Sequence, residues 1–373
     1  MLKLAATRVF TGEVMLAGAT LHIDAGVIAG ISSGLEAEAT VLDGLLAPGL
    51  VDVQVNGGGG VLFNDAPTTD TLSIMTQAHA RLGVTSIMAT LISDERSKIA
   101  TAIDAVTRSV SDGMPGLLGL HLEGPWLSAP RRGVHAERFL RALDQEDLHL
   151  IAQKRPFPVM VTLSPEQASP QDVRRLVAAG VTVSIGHTAA PHEDIEALLS
   201  AGANGFTHLF NAMAPLEGRR PGAIGLALAD RRAWAGLILD GIHVHPLSAR
   251  AAFAAKGAMR LTLVSDAMAT VGATNASMNL FGETVSLAGG ALRTVSGTLA
   301  GAHLDLGLAA RNAMKMLGVT DAEALRMAGL TPAEFLGVDT KYGRISPGAH
   351  ANVVLFSDAL DVKRVWVAGE EIL

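Results

Sequence analysis

Apolar and polar positions divide the chain into two terminal parts and a long central part. The first 46 residues contain short runs that alternate apolar and polar side chains, such as LHIDAG and ATVLDG, and GRISPGAHANVVLFS and VKRVWVAGEEIL show the same pattern at the other end. Alternation with a period of two predicts β-strands, but neither set is large enough to form a stable sheet alone. We therefore predict that residues 1–46 and 344–373 pair into one small β-sandwich domain formed by both chain termini.

Residues 47–343 alternate short apolar runs with segments of helical periodicity, which predicts an α/β domain. The predicted strands are Leu50–Val55, Val84–Leu91, Leu117–Leu122, Pro158–Leu163, Val181–Ile185, Gly205–Leu209, Ala235–Leu239 and Leu261–Val264. The predicted helices include Thr71–Leu82, Asp94–Val110, Asp172–Ala179 and Ser248–Lys256. This alternation favours a (β/α)8 TIM-type barrel. A doubly wound open sheet is the alternative, and the absence of G-x-G-x-x-G after the first strand disfavours it.

The segment after the eighth strand, NLFGETVSLAGGALRTVSGTLAG, has the pattern of a β-hairpin. Two helices are predicted to follow it. Thr320 and Glu323 have capping-box spacing, and Thr331-Pro332 predicts a helix with Pro at its first position.

Composition and charge exclude several classes of function. Nearly half of the 373 residues are hydrophobic, so the chain can bury a large core. The net charge is −7 and no long basic run is present, so we expect no nucleic-acid partner. No cysteine is present, which excludes disulfides, thiolate ligands and a cysteine nucleophile, and fits a cytoplasmic protein. We also expect no signal peptide and no membrane association, because no apolar run approaches the roughly 20 residues of a membrane helix.

Candidate chemistry lies at the ends of the predicted strands, where barrel enzymes place their catalytic groups. The polar residues there are Gln54, Asn56, Thr90, Glu123, Glu166, His187, His208, Asp240, His243 and Asp266. His187 and His208 end successive strands, and such residues lie side by side when the strands are parallel. Together with Glu123 they match the three N/O ligands of a catalytic zinc ion. The alternative for each histidine is a purely structural role.

Three further residues have both a functional and an ordinary interpretation. Asp266 either caps the turn after the last strand or acts as a general base on water. His243 can polarise a carbonyl group or hold an anion. Arg219, in the loop after the sixth strand, is either a solvated surface residue or a bidentate partner for phosphate.

At these positions the chain resembles the N-acetylglucosamine-6-phosphate deacetylases of the amidohydrolase superfamily. The matching blocks spread over nearly the whole chain in the family's order, and HLEGP together with THLFNAM is quite specific. The blocks are PGLVDVQVNGGGG (48–60), LGLHLEGPWL (118–127), SIGHT (184–188), THLFNAM (207–213), DGIHV (240–244), SDAM (265–268) and GRISPGAHANVVLF (343–356).

The resemblance implies a role for each matching residue. Glu123, His187 and His208 would be the metal ligands, Asp266 the catalytic acid and base, and His243 the group that polarises the acetamide carbonyl. Arg219 would pair with the 6-phosphate in its own subunit or in the neighbour of a homodimer. The implied substrate-binding residues are Val134, His135, Asn211, Ala212, Arg219, Asp240, Gly241, Ile242, His243, Leu299, Ala300 and Gly301.

One divalent metal ion is expected rather than two. Many members of the superfamily carry His-x-His after the first strand, and Gln54 and Asn56 take these positions here. Both are poor zinc ligands beside imidazole. Zn²⁺ is the first choice, with Fe²⁺, Co²⁺ and Mn²⁺ as alternatives. The sequence departs from the family at Ala300-Gly301-Ala302, where many relatives have Ser-Gly-Ser.

The expected activity is hydrolysis of N-acetyl-D-glucosamine 6-phosphate to D-glucosamine 6-phosphate and acetate, in amino sugar catabolism and cell-wall recycling. The expected partner is therefore a small amino sugar phosphate. The alternatives are an N-acetylgalactosamine-6-phosphate deacetylase, an amidohydrolase of N-acyl amino acids, and a non-catalytic amidohydrolase-like barrel. Arg219 disfavours the second, and the presence of the complete ligand set with Asp266 disfavours the third.

Overall fold

The structure is a computed structural model that describes all residues from Met1 to Leu373. The strands are β1 Leu2–Phe10, β2 Met15–Asp24, β3 Val27–Ser33, β4 Thr40–Pro48, β5 Leu50–Val55, β6 Gly57–Gly58, β7 Val61–Leu62, β8 Val84–Ile92, β9 Leu117–Glu123, β10 Val159–Leu163, β11 Thr182–Ile185, β12 Gly205–Phe206, β13 Trp234–Leu237, β14 Leu261–Leu263, β15 Ser277–Leu280, β16 Glu283–Ala288, β17 Ala291–Thr294, β18 Val353–Phe356, β19 Val362–Val367 and β20 Glu370–Glu371. The helices are α1 Thr69–Ala80, α2 Arg96–Ser111, α3 Gln145–Ile151, α4 Pro170–Ala178, α5 His192–Ser200, α6 Gly222–Ala229, α7 Pro246–Lys256, α8 Leu306–Leu317, α9 Asp321–Ala328 and α10 Leu330–Leu336.

Eight parallel strands form the central sheet in the order β5-β8-β9-β10-β11-β12-β13-β14. The edge next to β5 is joined to the segment after β14, where the backbone N–H of Asn56 donates to the carbonyl of Ala267 at 2.9 Å. Every residue of β5, β8, β9 and β10 is buried, because helices cover one face of the sheet and side chains fill the barrel on the other. The predicted (β/α)8 barrel is confirmed.

Two barrel strands end two or more residues earlier than the sequence predicts. The predicted strand Gly205–Leu209 ends at Phe206 as β12, and the predicted strand Ala235–Leu239 ends at Leu237 as β13. The reason is clearest after β12, where His208 and Phe210 have φ angles of 31° and 79°. This left-handed backbone does not fit a strand, and it turns the chain at the mouth of the barrel.

The two chain termini form a separate seven-stranded sheet in the order β20-β19-β18-β4-β1-β2-β3. β1 pairs parallel with β4, and β18 joins the C-terminal strands to β4 antiparallel. Fourteen buried apolar residues, among them Trp366, form a separate cluster on this sheet. The terminal strands therefore belong to one mixed sheet. The predicted boundaries at residues 46 and 344 remain predictions, since β4 runs on to Pro48.

The predicted hairpin after the eighth strand is a three-stranded antiparallel sheet, β15-β16-β17, which we call the roof sheet. Leu280, Val285 and Leu292 of this sheet form an apolar cluster with residues of the barrel mouth. The mouth residues in this cluster are Leu62, Ile92, Met268 and Ala269. The cluster holds the roof sheet beside the carboxyl ends of the barrel strands.

The C-terminal helices confirm one capping prediction and correct another. Thr320 and Glu323 form the predicted capping box of α9. The prediction of Pro332 at a first helical position is wrong, because α10 begins at Leu330. The Thr331 hydroxyl donates instead to the Ala258 carbonyl at 2.6 Å, so it ties α10 to the barrel and does not cap a helix. No helix combines the length and the apolar character that a membrane crossing demands.

Candidate metal and substrate site

Glu123, His187 and His208 converge at the mouth of the barrel. Glu123 is the last residue of β9, and the two histidines follow the ends of β11 and β12. Glu123 Oε1 lies 3.2 Å from His187 Nε2 and 2.9 Å from His208 Nε2, and the two Nε2 atoms are 3.0 Å apart. All three side chains are buried. The structure therefore brings together the three residues that the sequence nominates as metal ligands.

Backbone strain is concentrated at these strand ends. His187, His208 and Asp266 have φ angles of 49°, 31° and 50°, and Ala212 nearby has 50°. A non-glycine residue in this region costs of order 1–3 kcal/mol and persists only where its surroundings enforce it. Left-handed residues at three strand ends aim three side chains at one point. Such clusters are typical of functional sites.

Hydrogen bonds assign the ring nitrogens of His187. Its Nδ1 lies 2.8 Å from the carbonyl oxygen of Arg131, which can only accept, so Nδ1 carries the proton. In the neutral ring the lone pair is therefore on Nε2, and Nε2 points at Glu123. A histidine held through its other nitrogen in this way is the usual arrangement of a metal ligand.

His135 also lies close to Glu123 and His187, but its ring carries the proton on the other nitrogen. Ligand-type atoms of Glu123, His135 and His187 all lie within 4.8 Å of one another. The Nδ1 atom of His135 accepts the backbone N–H of Ser93 at 3.3 Å. Burial, with the nearby His187, lowers the pKa of His135 to about 3, so the ring is neutral and its proton lies on Nε2. His135 is therefore a hydrogen-bond donor, and His208, with Nε2 facing Glu123, is the better third ligand.

The donor set fits a divalent cation. One carboxylate oxygen and two imidazole nitrogens lie 2.9–3.2 Å apart, close to the separation of about 3.3 Å between neighbouring ligands of a tetrahedral ion with bonds of about 2.0 Å. Burial alone would raise the pKa of Glu123, but the hydrogen bonds of His187 and His208 hold it well below its usual value. Burial would lower the pKa of His208, but the bond to Glu123 raises it.

Gln54 and Asn56 direct their amide groups at carboxylates. Gln54 Nε2 donates to Glu123 Oε1 at 3.1 Å, and Asn56 Nδ2 donates to Asp266 Oδ1 at 2.7 Å. This amide orientation follows from the hydrogen-bond partners. Amide donors at these places orient Glu123 and Asp266 and offer no lone pair to a second cation on that side.

Asp266 faces the cluster from the segment after β14. Its side chain is buried, and burial together with the charge of Glu123 raises its pKa to about 6. A carboxyl group that titrates near neutral pH can both accept and return a proton.

His243 is held by the turn that precedes it. Its Nδ1 lies 2.6 Å from Asp240 Oδ2, and Asp240 Oδ1 accepts the backbone N–H groups of Ile242 and His243 at 2.8 Å each. Gly241 provides the φ of 77° that the turn requires. Asp240 thus fixes the ring of His243 at the cavity wall.

One cavity of about 380 Å³ contains most of the predicted site residues. Those along its wall are Glu123, Val134, His135, His187, His208, Asn211, Ala212, His243, Asp266, Leu299 and Gly301. Asp240, Gly241 and Ile242 do not line the cavity, and Ala300 is fully buried in the cluster beneath the roof sheet. Arg219 does not line this cavity. It lies beside a neighbouring cavity of about 530 Å³ with Arg131 and His192.

Sequence reasoning missed several residues of the wall. These are Ile92, Gly133, Ile238, Met268, Arg293 and Thr298, and Asn56 was identified only as a strand end. Met268 lies two residues after Asp266, so the strand-end rule could have included it. Arg293 and Thr298 belong to the roof sheet and its following loop, where no rule about barrel strands applies.

Two other strand-end candidates have structural roles. Glu166 accepts the Thr188 hydroxyl and the backbone N–H of Ala189, each at 2.8 Å, and so fixes the turn after His187. Thr90 accepts the backbone N–H of Val55 at 2.9 Å between two barrel strands. Neither residue lines the cavity.

Comparisons with known proteins agree with this architecture. The chain is 39% identical over 357 residues to the N-acetylgalactosamine-6-phosphate deacetylase of Shewanella sp. (strain ANA-3), covering 94% of this chain and 90% of that protein. It is 35% identical over 328 residues to the N-acetylglucosamine-6-phosphate deacetylase of Vibrio furnissii, covering 87% and 82%. The crystal structure of N-acetylglucosamine-6-phosphate deacetylase from Pasteurella multocida superposes with a TM-score of 0.94 at 32% identity, over 99% of both chains.

The sequence pattern of the amidohydrolase family matches residues 45–372, which include the barrel, the roof sheet and the C-terminal strands. This match covers far more than half of the chain, and it confirms the resemblance inferred from the motifs. The protein belongs to the amidohydrolase family.

Proposed function

We propose that this protein hydrolyses the N-acetyl group of N-acetyl-D-glucosamine 6-phosphate to give D-glucosamine 6-phosphate and acetate. One observation carries the proposal: Glu123, His187 and His208 converge in the same cavity as Asp266 and His243. The names of similar proteins, deacetylases of N-acetylhexosamine 6-phosphates, support the substrate class. We place the reaction in the cytoplasm, in amino sugar catabolism and cell-wall recycling.

Glu123, His187 and His208 would hold one divalent metal ion. Zn²⁺ is the first choice for one carboxylate and two imidazoles with an open fourth position, and Fe²⁺, Co²⁺ and Mn²⁺ are alternatives. Such an ion polarises a carbonyl group and makes water more acidic.

Asp266 would transfer the protons of amide hydrolysis, and His243 and His135 would donate hydrogen bonds to the substrate. Asp266 accepts a proton from the attacking water as its oxygen bonds to the acetamide carbon, while Asn56 holds the carboxylate in place. With Nδ1 bonded to Asp240, His243 in its doubly protonated form would donate from Nε2 to the carbonyl oxygen as negative charge develops there. Asp266 then gives the proton to the sugar nitrogen as the C–N bond breaks, and His135 donates from Nε2 to a sugar hydroxyl.

Arg219 is proposed to bind the 6-phosphate across a homodimer interface. It does not line the cavity of its own chain, and its neighbour Arg220 is the residue paired with Glu217 at 2.8 Å. An arginine outside its own site reaches phosphate only in another copy of the chain or after its loop moves. Binding of the remote phosphate would fix the acetamide beside Asp266.

N-Acetylgalactosamine 6-phosphate is the second candidate substrate, and one observation favours it. The Shewanella relative named for this substrate is 39% identical to the chain, against 35% for the Vibrio relative named for the glucosamine form. The two substrates differ only in the configuration of one hydroxyl group.

Amine release from both N-acetylhexosamine 6-phosphates tests the proposal. We expect release from N-acetylglucosamine 6-phosphate that stops with a chelator and returns when Zn²⁺ is added in excess. A larger kcat/KM for the galactosamine form would assign the second candidate. If the metal-loaded protein releases no amine from either compound, the proposed function is wrong.

A further inference from the structure

The roof sheet brings a single cationic side chain to the catalytic cavity. Arg293, in β17, is the only arginine or lysine among the 18 residues that line the cavity. The same wall carries the carboxyl groups of Glu123 and Asp266. Carboxylates repel an anionic ligand, whereas a guanidinium group on the wall attracts one.

Backbone hydrogen bonds of its neighbours hold the backbone of Arg293 in place. Its neighbour Leu292 is fully buried in the apolar cluster beneath the roof sheet. The backbone of Thr294 donates to Thr298 at 2.9 Å, and Ala300 donates to Leu292 at 3.1 Å. Arg293 is thereby fixed in a tight hairpin with the following chain.

That hairpin continues into the catalytic residues. The backbone N–H of Ala302 donates to the carbonyl oxygen of Asp266 at 2.9 Å, and Met268 donates back to Ala302 at 3.2 Å. A Cβ at Gly301 would lie only 2.5 Å from Met268, so the two segments are in close contact. Arg293 therefore has a defined position relative to Asp266.

The guanidinium group of Arg293 has N–H donors that form no hydrogen bond within the chain. Its Nη1 donates to the Gly297 carbonyl at 2.9 Å, and it forms no ion pair with a carboxylate. Other arginines of the chain, such as Arg364 with Glu371, have their donors taken up by acidic partners. A guanidinium with free N–H groups in a fork geometry matches the oxygens of a phosphate.

We propose that Arg293 binds the phosphate group of the substrate from within the same chain and so makes the site selective for phosphorylated amino sugars. The inference rests on the proposed function and adds a residue to it. Phosphate held by Arg293 would sit at the roof side of the cavity, with the acetamide at the barrel side near Asp266. Arg219 of a neighbouring chain could supply a second guanidinium to the same group.

The test compares R293Q with the unaltered protein, both loaded with Zn²⁺, on a phosphorylated N-acetylhexosamine and on its unphosphorylated form. We expect KM for the phosphorylated substrate to rise on the order of tenfold or more, with a small change in kcat. Turnover of the unphosphorylated sugar should not change. An equal loss on both substrates, or no loss on either, would overturn the inference.

Two controls separate charge from folding. R231Q removes an exposed arginine that lies outside the cavity and should leave KM unchanged. R293K retains the charge, so its KM for the phosphorylated substrate should lie between those of R293Q and the unaltered protein. If R293K is as impaired as R293Q, the rise in KM comes from altered packing of the roof sheet and the inference is overturned.

Binding of glucosamine 6-phosphate and of glucosamine, measured by calorimetry, gives an answer that does not depend on turnover. We expect R293Q to weaken binding of the phosphorylated amine alone, and unchanged binding would overturn the inference. If the unaltered protein binds glucosamine 6-phosphate and releases no amine from any substrate, the proposed function fails and the role of Arg293 stands.

Discussion

At the scale of single residues, we expect the loss of the Asp266 carboxylate to lower turnover without lowering the metal content of the protein. This carboxyl group faces the metal-ligand cluster but is not one of the three converging donors. We expect D266N to lower kcat by about 10²–10⁴, the usual contribution of a general acid or base. Metal content, measured by mass spectrometry of the purified variant, should stay at the level of the unaltered protein. Turnover near normal would remove Asp266 from the mechanism.

Asp52 lies beneath the site and should make stability depend on pH. Its Oδ1 accepts the backbone N–H groups of Gln54 at 3.1 Å and Ser265 at 3.3 Å, whereas Oδ2 is buried without a partner. Burial raises the pKa of Asp52 to about 7 in the folded chain, above its value of about 3.9 in the unfolded chain. Below about pH 4 both states are protonated and the full stability is present. Between about pH 4 and pH 7 the unfolded chain ionises first, so the contribution of Asp52 to stability falls.

The variant D52N keeps the acceptor oxygen and cannot ionise. We expect it to lose less stability than the unaltered protein between pH 5 and pH 8, by at most about 3 kcal/mol. Urea unfolding of chelator-treated protein at both values measures this difference, because it leaves metal binding out. D43N, at an exposed carboxylate, is the matched control and should behave like the unaltered protein. Parallel pH profiles for D52N and D43N would show that Asp52 is not responsible.

At the scale of elements, the segment between β9 and α3 depends on one buried carboxylate. This segment carries Val134 and His135 into the cavity. Asp147, whose side chain is fully buried, accepts Trp126 Nε1 at 2.9 Å, Arg141 Nη2 at 2.9 Å and Arg96 Nε at 2.8 Å. One side chain therefore ties the start of the segment to its end and to α2.

We expect D147N to lower the free energy of unfolding by about 2–3 kcal/mol. Loss of a buried charge partner costs about 3–5 kcal/mol, and the two arginines are partly exposed, which reduces the cost. KM should also rise, because His135 loses its support. E146Q is the matched control, since Glu146 pairs with the same Arg96 but is 77% exposed, and its loss should cost less than about 1 kcal/mol. Equal effects of the two variants in urea unfolding would contradict the assignment.

The sequence predicts an element when neighbouring residues in the chain determine it, and it does not when tertiary contacts determine it. The barrel strands are predictable because long apolar runs such as Val84–Ile92 are buried on both faces, and the ends of those strands locate Glu123, His187 and His208. The shortened β12 is not predictable, because a tertiary arrangement enforces the left-handed backbone after it. Arg293 is missed for the same reason: only the packing of the roof sheet on the barrel brings it to the cavity.

At the scale of the whole molecule, pairs of variants test the proposal that a neighbouring copy of the chain supplies Arg219 to the phosphate. D266N retains Arg219 but lacks the proposed base, and R219A retains the base but lacks the arginine. In a homodimer with exchanged arginines, a mixed dimer of the two variants has one site in which both residues are present. Random mixing makes half of the dimers mixed, with one complete site in two, so about a quarter of the normal activity should return.

The measurement is kcat/KM on a phosphorylated substrate at low concentration, before and after the two variants are unfolded and refolded together. If Arg219 serves its own chain, no mixed dimer contains a complete site, and the activity of the mixture stays at the average of the separate variants. Mixing D266N with R293Q discriminates further. Arg293 lines the cavity of its own chain, so the intact Arg293 of the D266N copy cannot serve the partner's site, and this second mixture should recover nothing. Recovery with R219A and none with R293Q would assign one guanidinium to each chain around a single phosphate.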